Sequence, residues 1–210
     1  MDRKAYSAAV LAKRDAIADA ARSYDWQGLL PLLERTPALV NSWRVGGTAL
    51  YTALHQAAHG GAPIEVVERL VAFGAWRTLP TSTGERAVDL ARAHGHDHLV
   101  ELLAPRVLRS VDPAALAQVQ GHFHDVIRER VAGVRGIGAL RLPELATLTE
   151  YAVARCWFPV PGMYGGFKFW LTEGDSPRLV AESWSRVVEG SEQHHEITPG
   201  GARLVEGGAG

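Results

Sequence analysis

The 210-residue chain has a single cysteine, Cys156. One thiol cannot build an intramolecular disulfide framework, and it suits a reducing compartment. Charge of one sign is also lacking. Twenty-two Lys and Arg face 23 Asp and Glu, for a net charge of −1. No global basic field is present to hold a nucleic acid or an anionic membrane. No apolar run approaches the length of a membrane span. The N-terminal "MDRKAYSAAVLAKRDAIADAA" is broken by charges at helical spacing and lacks the apolar core of a signal peptide. A cytoplasmic protein is the expectation. Walker loops, dinucleotide fingerprints, G-x-S-x-G elbows and zinc-finger spacings are missing too, so no cofactor is expected. Histidines do cluster, as His94, His96 and His98 and as His122 and His124. Their spacing of two sends rings to diverging faces, where helical metal ligands need three or four, and no metal is expected.

What is present starts with a globular composition, 47% hydrophobic and 21% charged. A repeat lies near the middle. "TALHQAAHGGAPIEVVERLVAFGA" begins at Thr52 and "RAVDLARAHGHDHLVELLA" at Arg86. Leu54 aligns with Val88, His55 with Asp89 and Ala57 with Ala91, each at an offset of 34. A glycine turn follows each, at Gly60 and Gly95, where positive φ is expected. A second apolar helix comes next: Val66, Val67, Leu70 and Val71 in one unit, Leu99, Val100, Leu102 and Leu103 in the other. A weaker unit, "DAIADAARSYDWQGLLPLLERTPALVN", precedes them. Alanines at fixed places let such helices approach closely, and the apolar stripes build one continuous core. That core is expected to bury Leu54, Ala57, Leu70, Val88, Ala91 and Leu102.

"TALHQA" resembles the T-P-L-H-x-A signature of the ankyrin repeat, with Ala53 in the proline position. The resemblance covers about residues 13–104. It implies a solenoid of about three stacked helical hairpins, begun by a capping helix within residues 2–22. It gives His55 a structural role, hydrogen-bonding turn backbone. It implies that the inter-repeat loops carry partner contacts, which singles out Trp43, Tyr51 and Trp76. Covering hydrophobic edges is an equally good use of Trp43 and Trp76.

Pro105 and Pro113 punctuate the chain after the repeats. "DPAALAQVQGHFHDVIRERV" reads as a helix with Asp112 as N-cap and Pro113 at its first position. Leu116, Val119, Phe123, Ile127 and Val131 form its stripe. "GVRGIGALRL" is a glycine-bearing loop, and "PELATLTEYAVARCW" reads as a second helix from Pro143, with Leu145, Leu148, Ala152 and Cys156 on one side. The period then changes. "GFKFWL" and "LVAESWSRVV" alternate as strands, joined by "GDSP". "EGSEQ" makes another turn before "HHEIT" and "GGARLV", for a meander of three or four strands. The expected class is mainly α: an ankyrin-type solenoid over residues 1–104, a helical bridge over 105–156 and a small antiparallel β subdomain over 157–210.

"WFPVPGMYGGFKFW", residues 157–170, holds six aromatics, three glycines and two prolines. With the strands behind it, it resembles a C-terminal extension on a group of bacterial ankyrin-repeat proteins, PVPGMYGGF…ESW-RV…HEIT. That resemblance carries architecture, not chemistry. Two readings stand side by side. The aromatics fill a thin core, or Trp157, Tyr164, Trp170, Trp184 and Arg186 wall a ligand site. Glu182, Trp184 and Arg186 share one strand face, and His194 or His195 on the next strand reaches it. Glu182 and Arg186 pair with each other or with a ligand, because inward-pointing charges cost several kcal/mol unpaired, on the order of 3–5. The first functional expectation is a binding protein acting by protein–protein recognition. The alternative is a small-molecule binder or enzyme for an aromatic or polyketide-like metabolite. There His194, His195 or Glu182 would be the base, Arg186 the anion holder and Tyr164 the donor.

Overall fold

A computed structural model describes residues 3–134, 140–152, 155–174, 176–186 and 192–208. Two compact units divide the chain: Tyr6–Arg106, and Val107–Gly210 with Met1–Ala5.

The first unit is helical. α1 (Ala8–Arg22) and α2 (Trp26–Arg35) form one hairpin, and Asp25 caps α2 by accepting from the Gly28 amide at 2.9 Å. α3 (Ala53–Gly60) and α4 (Ile64–Ala72) form the next. α5 (Ala87–Ala93) and the single turn α6 (Val100–Leu103) form the last. α3 packs on α1 and α5, while α4 packs on α2 and α6, so the hairpins stack in order. The contact layer is small-residue: Ala53, Ala57, Ala58, Ala87 and Ala91 are buried along α3 and α5. Leu29, Leu33, Leu54, Leu70, Leu99 and Leu103 fill the space behind them.

The offset of 34 has a physical counterpart. His55 Nδ1 accepts from the Thr52 amide at 3.2 Å, and Asp89 Oδ2 accepts from the Arg86 amide at 2.9 Å. Each side chain holds the donor that its helix start would otherwise leave unpaired. Two details differ from expectation. Positive φ falls at Gly61 (62°) and Gly95 (71°), not at Gly60. Gly60 ends α3 and makes room instead: a Cβ there would lie 2.4 Å from the Tyr24 ring. Leu102 is only half-buried, because the short 3₁₀-to-α turn at Asp97–Leu103 points Leu99 and Leu103 inward.

In the second unit, α7 (Pro113–Val131) starts at Asp112, whose carboxylate accepts from the Ala115 amide at 2.8 Å. Leu116, Val119, Phe123 and Ile127 are buried along one side, with Val131 half-buried. The helix expected over 143–156 does not form. Leu145–Glu150 is a 3₁₀ helix, and Cys156 already belongs to a strand. Thr147 and Thr149 hydroxyls donate to the Glu144 and Ala146 carbonyls at 2.7 Å, three residues back, which favours the tighter turn. Val153 and Ala154 of that segment lie outside the described residues, as do 135–139 of the glycine loop, Asp175 of the "GDSP" turn, and Val187, Val188 and most of the "EGSEQ" turn.

The described residues carry five strands rather than three or four: β1 (Cys156–Val160), β2 (Gly165–Leu171), β3 (Leu179–Trp184), β4 (Glu192–Thr198) and β5 (Gly201–Gly208). They form one antiparallel sheet in sequence order. Phe167, Phe169, Leu171, Leu179, Ala181 and Ile197 point to one face and share a core with Phe123, Ile127, Leu145, Leu148 and Met163. The Phe123 ring sits 5.0 Å from Phe169 and 6.1 Å from Phe167. Side chains on the alternate positions point to the other face, and there the charges collect.

Among the described residues, no helix is long and apolar enough to cross a membrane.

Candidate functional site

The second sheet face is built by register. Trp157 on β1 pairs with Lys168 on β2, Lys168 with Glu182 on β3, and Glu182 with His194 on β4. Directly paired residues put their side chains on the same face, about 5 Å apart. Lys168 Nζ lies 3.3 Å from Glu182 Oε2, and His194 Nδ1 lies 4.0 Å from Glu182 Oε1. The next row is Pro159, Gly166, Trp184 and Glu192.

Glycines bring the two indoles onto this surface. A Cβ on Gly166 would meet Trp157 Cζ2 at 2.9 Å and the Phe158 carbonyl at 2.2 Å. A Cβ on Gly165 would meet the Trp184 carbonyl at 1.9 Å and its ring at 3.0 Å. Only bare backbone lets β1 and β3 close over β2 there. Trp157 remains 53% exposed and Trp184 37%. Between and beside them lies a concavity of about 520 Å³ lined by Trp157, Lys168, Glu182, Trp184, Glu192 and His194, with Gln193 and Ser183.

Of the residues singled out from sequence, Trp157, Glu182, Trp184 and His194 come together here. Arg186 does not pair with Glu182. It is exposed, its guanidinium 5.4 Å from the Trp184 ring centre, and Lys168 takes the carboxylate. Trp170 shares the face but lies a row away, covered by the Arg155 guanidinium at 4.5 Å and Lys168 at 5.5 Å. Tyr164 stands in the β1–β2 turn with φ 49° and is 71% exposed, outside the concavity. His195 pairs with Ala181 and so belongs to the α7 side of the sheet. Its Nδ1 is buried without a hydrogen bond among the described residues. Burial pushes its imidazole below the ordinary range, against an opposing pull from Glu129. Burial also pushes the Cys156 thiol up, which keeps it protonated and a poor nucleophile.

Lys168, Glu192 and Gln193 complete the site and were not singled out beforehand. The register that aligns them is a long-range pairing that alternation along one strand does not disclose.

The helical unit has its own groove, of about 570 Å³, lined by Arg22, Tyr24, Leu50, Tyr51, Gln56 and His59 among others. Tyr24 Oη lies 2.8 Å from His59 Nδ1. Burial lowers the His59 pKa, and His94 and His96 lower it further; the His94 ring is 4.2 Å away. Tyr51 lines this groove, whereas Trp43 and Trp76 do not. Trp43 stacks with the Arg14 guanidinium at 4.9 Å, and the Trp76 amide donates to Asn41 Oδ1 at 2.9 Å. His96 and His98 reach the His59 and Ala62 carbonyls at 3.1 and 3.2 Å. Among the described residues no group of three His, Cys, Asp or Glu is placed to hold a metal ion.

The sheet-face site can stack a flat ring on indole and hold its polar edge with Lys168, Glu182 or His194. Compared with known proteins, the chain matches no family model and no curated protein.

Proposed function

We propose that the protein binds a small aromatic molecule on the open face of its C-terminal sheet. The observation that carries this reading is the pair of exposed indoles, Trp157 and Trp184, flanking the Lys168–Glu182 ion pair and His194 in one concavity. An indole side chain offers up to about 250 Å² of surface. A half-exposed Trp157 leaves roughly half of that in water, so covering it is worth about 3 kcal/mol at 25 cal/mol per Å². Glu182 and His194 then face the ligand as its polar contacts, and acid–base turnover of a bound metabolite is the enzymatic form of the same reading. Titrating the full-length protein with a panel of aromatic compounds, read by tryptophan fluorescence, tests it. The expected result is a saturable signal that Trp157→Ala abolishes without loss of folding. An unresponsive wild type, or an unchanged response in Trp157→Ala, would overturn it.

A second reading concerns the helical unit. The matching helix-start roles of His55 and Asp89, 34 residues apart, favour an ankyrin-type stack. In that reading the groove at Tyr24, Tyr51 and His59 recognises a protein segment.

A further inference from the structure

We propose that the ligand of the sheet-face site is an organic cation: a flat ring bearing an ammonium group. This rests on the small-molecule reading above and narrows it by charge.

The indoles of this face already show what their π-clouds attract. Trp170 is covered by Arg155 and Lys168, and Trp184 by Arg186. A cation is drawn to the negative face of an indole more strongly than to any other side-chain ring. Among the described residues, Trp157 alone of the three has neither a cation nor another ring against it.

The carboxylates tell the same story. Glu182 is neutralised by Lys168 at 3.3 Å. Glu192 lines the same concavity and is exposed, and its carboxylate has no ion pair or hydrogen bond among the described residues. Lys168, the one Lys or Arg among the described lining residues, is thus already spent on Glu182, and one carboxylate is left over. The vacant complement is an aromatic face plus one negative charge.

Geometry joins them. The Trp157 ring leans out of its own row onto Gly166, which belongs to the row of Trp184 and Glu192. From β2 to β4 is two strand spacings, about 10 Å. A ring seated on Trp157 above Gly166 can therefore send a short alkylammonium arm past Trp184 towards Glu192. An anionic ligand of the same shape would bring its carboxylate against Glu192, and to find a cation it would have to take Lys168 from Glu182 or Arg186 from the Trp184 ring.

Three indoles of one shape and different charge test this: tryptamine, indole and indole-3-acetate, titrated calorimetrically against the full-length protein at low salt. Tryptamine is expected to bind tightest, by about fivefold or more over indole, the effect of one charge pair at about 4 Å in water-like surroundings. Glu192→Gln should remove that advantage, so that tryptamine binds the variant no better than indole does. Lys168→Met, which frees Glu182, should tighten tryptamine several-fold. Both residues are surface groups of the sheet, and far-UV circular dichroism checks that each variant folds. Equal or tighter binding of indole-3-acetate, or a tryptamine advantage that survives Glu192→Gln, would overturn the charge assignment while leaving the small-molecule reading standing. Failure of all three ligands to bind the wild type would remove both.

Discussion

Arg186→Ala separates a filled, ion-paired core from an accessible face. If Arg186 were buried against Glu182, its removal would strand a charge and cost about 3–5 kcal/mol. The structure instead leaves Arg186 exposed, with Lys168 on Glu182 and, among the described residues, only the Trp184 ring within reach of the guanidinium. An exposed cation–π contact contributes about 0.5–1 kcal/mol. The expected loss is therefore below about 1 kcal/mol, a shift of no more than about 4–8 °C in Tm for a domain of this size. Phe123→Ala is the control on the other side of the same sheet. Phe123 is fully buried and touches Phe167 and Phe169, so its truncation should cost about 3–5 kcal/mol. Urea unfolding of both variants, followed by circular dichroism and tryptophan fluorescence, gives the comparison. A loss of 3 kcal/mol or more in Arg186→Ala would refute the open-face geometry, since no exposed contact supplies that much.

Two further outcomes concern the helical unit. His55 Nδ1 holds the Thr52 amide, and Nε2 lies 3.0 Å from the buried Leu79 carbonyl, so His55→Ala should lose about 2–4 kcal/mol by stranding both; an unchanged urea midpoint would remove His55 from the framework of the stack. Stability should also depend on acid. His59, lowered by burial and by His94 and His96, binds its proton more weakly folded than unfolded. Its contribution is therefore flat above the unfolded pKa of about 6.5 and falls as pH drops below it, with lowered His195 acting in the same direction in the other unit. Melting curves between about pH 7.5 and 5 check this: His59→Gln should flatten the profile, and an identical profile in that variant would refute it.

Much of the fold was legible in local pattern because its causes are local. Asp112 before Pro113 announces a helix start through hydrogen bonds within one turn. His55 and Asp89 do the same for α3 and α5, and alternation over Leu179–Trp184 sorts buried Ala181 from exposed Trp184 through the pleat alone. The 3₁₀ segment at Leu145–Glu150 escaped because its apolar spacing fits an α-helix, while threonine hydroxyls and the demand of β1 for Cys156–Val160 decide otherwise.

Within the site, the strand pattern by itself put Glu182 and Trp184 on one side, but it also carried the strand on to Arg186, which lies in a bend past the end of β3. It was silent on which neighbour each meets. Arg186 is four residues from Glu182 and Lys168 fourteen, yet Lys168 forms the ion pair because antiparallel register sets it directly opposite. The same register gives His194 to the open face and turns His195 towards α7. Only the tertiary structure could decide these partners. A side chain's facing is a property of its own strand, whereas its partner is chosen by a strand that folds back from elsewhere in the chain.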